Sequence, residues 1–273
     1  MNVDRAWDKL YVRLADEKLL DPGTKTVAMP FISKVKWAAS IAILCVLTGV
    51  IGLYVSRVND EPPFVSIHNS DATNTLVRTL DDGSIVYLAG GSALTCPERF
   101  AADKREVFLK GEALFDVQSD KSNPFLIETV PVIVEVTGTE FSIVSNGKES
   151  FELSVLHGSV SVTLKPDNAP VTVESGKTVF LQAGKLYLTE TSDQRLFARY
   201  TQKMQFKDER LEHIIHVINK ISDKPVLFSD NNLKNREITI AFSNNTVEEM
   251  VELLCAALDL KYTDHEGEMV IGR

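Results

Sequence analysis

The chain has 273 residues, 44% of them hydrophobic and 25% charged, with a formal net charge of −9. That is enough apolar material for more than one ordinary core, and the acidic balance excludes a nucleic-acid surface, which needs basic charge against phosphate. Three cysteines are too few for a disulfide framework.

The first predicted element is an amphipathic helix. Val3, Trp7, Leu10, Tyr11 and Leu14 recur at helical spacing among Asp4, Asp8, Lys9, Arg13 and Asp16, ahead of a break at Asp21-Pro22-Gly23. A lone helix of this length is marginal in water, and Trp7 and Tyr11, one turn apart, need a cover. Trp7, Leu10, Tyr11 and Leu14 are therefore the expected contact face for a partner.

Trp37 to Val55 then reads WAASIAILCVLTGVIGLYV, without one charge. About 19 residues at roughly 1.5 Å each span roughly 28 Å, the hydrocarbon thickness of a bilayer. The hydrophobic region of a signal peptide is shorter and lies nearer the start, so residues 37–55 are expected to form a transmembrane helix. Lys25, Lys34 and Lys36 precede this span, whereas only Arg57 follows it, ahead of Asp60 and Glu61. This asymmetry puts residues 1–36 in the cytoplasm and the acidic remainder outside.

After a linker at 56–72, residues 73–190 change to short runs of Val, Ile, Leu, Phe and Thr between turn residues. Strands are predicted at Ile85 to Leu88, Arg105 to Leu109, Ala113 to Val117, Phe125 to Glu128, Val132 to Val136, Glu140 to Val144, Phe151 to Leu156, Ser159 to Leu164, Val171 to Val173 and Thr178 to Tyr187. Asp82-Gly83, Asn146-Gly147, Gly158, Asp167-Asn168 and Ser175-Gly176 supply turn chemistry. The fold class is an all-β sandwich or roll.

A polar linker at 191–203 leads to residues 204–273, where helical periodicity returns. Asp208 is placed to cap a helix with the face Leu211, Ile214, Ile215, Ile218 and Ile221, and Thr246 with Glu249 forms a capping box ahead of a second helix. Strands at Met204 to Phe206, Pro225 to Phe228, Ile238 to Phe242, Lys261 to Thr263 and Met269 to Ile271 complete a small α+β domain of two βαβ-like halves. The segment Glu268 to Arg273 reads as a sheet edge, so Met269, Val270 and Ile271 are the expected docking strand for a partner.

Chemistry is sparse. The sequence carries no G-x-S-x-G, H-E-x-x-H, P-loop or dinucleotide-binding fingerprint. His213 and His216 share a helix but lie off its apolar face, as solvated side chains do, and Asp81-Asp82-Gly83-Ser84 reads as a hairpin turn rather than calcium ligands. Neither an enzyme, a cofactor nor a metal is expected. A bond between Cys96 and Cys255 is not expected either, since the two fall in different predicted domains.

With these segments placed, the chain resembles the FecR-type transmembrane anti-sigma factors of Gram-negative bacteria, in the form common in the Bacteroidetes. The resemblance rests on LDDGSIVYLAGGSAL at Leu80 to Leu94, REVFLKGEALFDV at Arg105 to Val117, PFLIET at Pro124 to Thr129, VEVTGTEFSI at Val134 to Ile143 and VLHGSVSV at Val155 to Val162, five motifs in the family's order. It implies that the cytoplasmic segment holds an extracytoplasmic-function sigma factor. It further implies that the outer part, in the periplasm, receives the signalling domain of a TonB-dependent outer-membrane transporter, and that regulated proteases destroy the tether. The 204–273 region looks like the transporter's own signalling domain. Some relatives cleave themselves at a Gly-Thr by an N-to-O acyl shift, which makes Gly138 and Thr139 a cleavage candidate. The rival reading is a membrane-anchored periplasmic binding or scaffold module without sigma contact.

Overall fold

Alternating apolar residues between glycine-bearing turns build most of residues 64–190 into β-strands, seen in a computed structural model that describes residues 3–17, 42–50, 52, 63–166, 169–191, 197–265 and 267–272. Two units separate, Met1–Asp60 and Glu61–Arg273. In the first, α1 (Val3–Asp16) is a helix on which Trp7, Leu10, Tyr11 and Val12 are exposed and Leu14 is half-buried. Residues 42–50 are also helical, with Ile43, Leu44, Val46, Leu47 and Val50 exposed. Among the described residues no helix is long and apolar enough to cross a membrane. Residues 37–41, 51 and 53–55 of the expected span, the Asp21-Pro22-Gly23 break and the flanking lysines lie outside the described residues.

The second unit starts with thirteen strands: β1 (Phe64–His68), β2 (Thr75–Thr79), β3 (Ile85–Leu88), β4 (Ala93–Pro97), β5 (Arg105–Asp116), β6 (Phe125–Glu128), β7 (Val132–Val136), β8 (Glu140–Ser145), β9 (Phe151–His157), β10 (Ser159–Leu164), β11 (Pro170–Glu174), β12 (Lys177–Gln182) and β13 (Lys185–Glu190). There follow α2 (Arg199–Gln202), β14 (Lys203–Arg210), α3 (Leu211–Ile221), β15 (Val226–Phe228), β16 (Glu237–Ser243), α4 (Val247–Leu258), β17 (Lys261–His265) and β18 (Glu268–Gly272).

One long strand organises the β-region. Residues Arg105 to Lys110 of β5 pair with β4 and β6, whereas Gly111 to Asp116 pair with β8 and β3. The switch falls at Gly111, whose φ of 107° and contact with Ser92 leave no room for a side chain. Two sheets result, β1-β4-β5-β6-β7-β10-β11 and β13-β12-β9-β8-β5-β3-β2-β14-β16, with β5 as their common corner. Val107, Leu109, Phe115, Phe125, Ile127, Val134, Phe141 and Ile143 fill the core between them, with Phe115 and Phe141 stacked at 5.5 Å.

The second sheet does not stop at the β-region. β14 pairs in parallel with β2 and antiparallel with β16, and a second core joins Val77, Ile85, Tyr87 and Leu114 of the strands to Leu211, Ile214 and Ile218 of α3, Met250 and Leu254 of α4 and Met269 and Ile271 of β18. β15, β18 and β17 form a separate three-stranded sheet.

Several expectations need correction. The C-terminal region has the expected order, β14-α3-β15 and then β16-α4-β17-β18, but the strands flanking each helix do not pair with each other: β14 and β16 pair in the main sheet while β15, β17 and β18 pair apart from it. The expected linker at 56–72 contains β1, and β2 and β4 were not expected. Arg105 to Val117 is one bent strand rather than two. Thr178 to Tyr187 is a hairpin, turned at Ala183-Gly184, both at positive φ. Asp208 does not cap α3: it sits at φ 46° in a bulge of β14, its N–H donating to Thr239 Oγ1 at 2.9 Å and its carboxylate accepting from the same hydroxyl at 3.0 Å. The first amides of α3 donate instead to the Arg236 and Lys234 carbonyls. The Thr246-Glu249 capping box is present.

Candidate functional site

The motif residues knit the fold together. Asp82 accepts from the Ser84 amide and hydroxyl at 3.0 and 2.7 Å, and Ser84 Oγ in turn accepts from the Gln118 amide at 3.0 Å. Arg105, buried, donates to Asp82 at 2.9 Å and to the Asn123 and Gln118 carbonyls at 2.8 and 3.0 Å, and lies over the Phe125 ring. Glu112 of the Gly-Glu-Ala segment accepts from Tyr200 Oη at 2.9 Å and pairs with Arg199 at 2.7 Å, which fastens α2 to β5. Thus the Asp-Gly-Ser turn is an internal clamp.

His213 is not a solvated side chain. Its Nδ1 lies 2.6 Å from Glu209 Oε1 and its Nε2 2.8 Å from the Arg210 guanidinium, and buried Glu209 also faces Arg78 at 3.3 Å. Among the described residues no three metal-ligating side chains converge. Cys96 and Cys255 are both free and buried, one in each core, where desolvation raises their thiol pKa values.

Gly138 and Thr139 form the turn between β7 and β8. Gly138 has φ 147° and a Cβ there would collide with Ser119, while Gly158 presses a face without a side chain against Gly138 O and Thr139 Oγ1. Thr139 is buried, and its hydroxyl donates to the Ser159 carbonyl at 2.9 Å. A hydroxyl held this way keeps its lone pairs, and the Gly138 carbonyl carbon is the one an acyl shift would need.

This turn opens on a cleft of about 610 Å³ lined also by Tyr87, Asp116, Glu140, His157, Phe197, Thr201 and Lys220. Asp116 and Glu140 are directly opposite each other in the β5-β8 register. Burial, then the Asp116 charge, raises the Glu140 pKa above the usual carboxylate value, against His157 and Lys220, which lower it. Lys220 Nζ reaches Asp116 at 2.9 Å. Of these groups, the sequence reading singled out only Gly138 and Thr139. The register that sets Asp116 against Glu140 has no signature in a single sequence.

The face of α1 is exposed, except at half-buried Leu14, and lies in the first unit. Met269, Val270 and Ile271 do not form an edge: β18 pairs with β15 in parallel and with β17 antiparallel, and Met269 and Ile271 are buried. Their hydrogen-bonding groups are used on both sides, so strand addition there is excluded.

The profile described as FecR protein matches residues 67–161, and that described as FecR, C-terminal, matches residues 203–271. Over these two regions the chain belongs to the FecR family. Two crystal structures of a Parabacteroides distasonis ATCC 8503 chain assigned as an anti-sigma factor, at 2.50 and 1.65 Å resolution, are similar to it at 21% identity each. They cover 77% of this chain and 99% of their own, with TM-scores of 0.48 and 0.47. No curated protein matches. In this FecR-type chain the first profile ends within β10 and the second begins at β14, the strand that joins β2.

Proposed function

We propose that this chain is a single-pass regulator of the bacterial inner membrane. In this reading residues 1–36 hold an extracytoplasmic-function sigma factor in the cytoplasm, residues 37–55 span the bilayer, and the second unit receives the signalling domain of a TonB-dependent transporter in the periplasm. The observation that carries the reading is α1: within a FecR-type chain, Trp7, Leu10 and Tyr11 stand exposed on one helix, on the basic side of a charge-free stretch. The two binding events form a linkage across the membrane, with regulated proteases cutting the tether. For the transporter domain, the outer side of β16 is unpaired among the described residues and alternates half-buried Ile238 and Ile240 with exposed Thr239 and Ala241. The sigma arm is tested by replacing Trp7 and Tyr11 with Ala and measuring target transcription beside the protein's membrane abundance. Derepression at normal abundance is expected; unchanged repression at normal abundance overturns it.

A further inference from the structure

The cleft beside Gly138-Thr139 has an unbalanced floor. Asp116 and Glu140 face each other across adjacent strands, an arrangement that costs stability unless a cation lies between or beside the carboxylates. Lys220 answers Asp116 at 2.9 Å, whereas Glu140, its side chain 31% exposed, has among the described residues only the largely exposed His157 ring within ion-pair reach, at 4.0 Å. A second observation is independent of this charge. Tyr87, only 4% exposed, lines the same cleft, and among the described residues its hydroxyl has no hydrogen-bond partner. Its oxygen opens to the cleft, where a guest donor can reach it.

The cleft offers the Glu140 carboxylate and the Tyr87 hydroxyl, both open to a guest donor. The walls add apolar surface from Leu114, Phe197 and Ile221, suited to the methylene stem that arginine and lysine bury while their charged heads are satisfied elsewhere. A divalent metal fits less well, since only two carboxylates are present and one is already paired with Lys220. We propose that this cleft is a receptor for a cationic side chain, arginine or lysine, presented by a partner protein. The guest's N–H groups bond Glu140 and the Tyr87 oxygen, and its stem packs on Leu114 and Phe197. The acidity of the sequence after the charge-free stretch draws such a partner in. The site shares no residue with α1 or β16, so it stands whether or not the sigma and transporter assignments hold.

The test uses the full-length chain in detergent micelles, carrying ¹³C only in its tyrosine rings. Tyr87→Phe identifies the Tyr87 signal by its loss. Three probes are titrated to about 10 mM, above the millimolar range expected of one charged contact: acetyl-Ala-Arg-Ala-amide, the same peptide with norleucine for arginine, and spermidine. The arginine peptide is expected to shift the Tyr87 signal saturably and the norleucine peptide not to. In Glu140→Gln the affinity should fall about tenfold, the loss of one charge-assisted hydrogen bond, while Asp81→Asn, at a different cleft, leaves it unchanged. Circular dichroism checks that each variant is folded. Equal shifts from both peptides, no shift, or undiminished binding by folded Glu140→Gln overturns the site. Binding of spermidine without the arginine peptide overturns the protein-borne source and with it the proposal.

Discussion

Replacing Arg105 by Ala should be among the most damaging single changes outside the apolar cores. The guanidinium is nearly fully buried, with 4% of its side chain exposed, and Asp82 opposite it has 12%. Breaking a buried pair by removing one partner costs about 3–5 kcal/mol, most of it the penalty of the charge left behind. Asp82 keeps its bonds from Ser84, which moves the cost toward the lower end, whereas the Asn123 and Gln118 carbonyls lose a donor, which moves it back. A loss of about 4 kcal/mol is expected. For a unit of this size each kcal/mol lowers Tm by about 2–4 °C, so the midpoint should fall by about 8–16 °C. The assay is thermal unfolding of the full chain followed by far-UV circular dichroism, with Asp82→Asn and the double variant completing a cycle. A coupling of about 2 kcal/mol is expected, in the range of hydrogen bonds to charged groups. If Arg105→Ala lowers Tm by less than about 3 °C, or the coupling is below about 0.5 kcal/mol, the account of the Asp-Gly-Ser turn as a clamp is wrong.

Two further outcomes follow from the cleft. Because burial and Asp116 raise the Glu140 pKa, the fold favours its protonated form, and the ionised form costs stability above that raised pKa. Glu140→Gln should therefore stabilise the protein at neutral pH by about 0.5 kcal/mol. The advantage should shrink as pH falls through the raised pKa toward the ordinary carboxylate range; an advantage that is absent at neutral pH, or that grows with acid, refutes it. Thr139→Ala tests self-cleavage: if the Gly138 acyl group moves from the Thr139 nitrogen to its hydroxyl oxygen and water then hydrolyses that ester, cells without periplasmic proteases accumulate two fragments of the wild type and one intact band of the variant, and a single intact wild-type band refutes it.

The β-region was legible because alternation and turn chemistry are local. Val132 to Val136 alternates buried and exposed as read, and Gly147 and Gly176 sit at positive φ in their turns. What escaped depended on partners distant in sequence. β1 alternates little in burial, and Phe64 and Val65 stay exposed, so it carries no amphipathic signal. Its pairing with β4 alone marks it as a strand. Asp208 looked like a helix cap because Asp before an apolar face is the commonest sign of one; the Thr239 hydroxyl, 31 residues away, holds it in a bulge instead. The edge expected at Met269 to Ile271 failed for the same reason. A hairpin with β17 leaves one side of β18 free, and only the crossover that brings β15 alongside closes it.

That crossover and the β2-β14 pairing change how the proposed receiving role of the C-terminal region should be tested. Cutting away residues 204–273 would strip β14 from β2 and uncover Val77, Ile85, Tyr87 and Leu114, all buried under the C-terminal helices. Each large apolar side chain so exposed forfeits about 1.5–3 kcal/mol of burial, and a folded domain has only about 5–15 kcal/mol in total. Lost binding after truncation would then report an unfolded β-region as readily as a missing surface. A proline at Val270 has the same flaw, since β18 is hydrogen-bonded on both sides. Changes confined to exposed positions of β16, such as Thr239 and Ala241, leave both cores intact and keep the question to the surface itself. The shared core also bears on how a signal would travel. With β14 built into the main sheet, a partner at the C-terminal region binds the same sheet that carries the Gly138-Thr139 turn on β8, so an internal hinge between the two regions is not needed for one to affect the other.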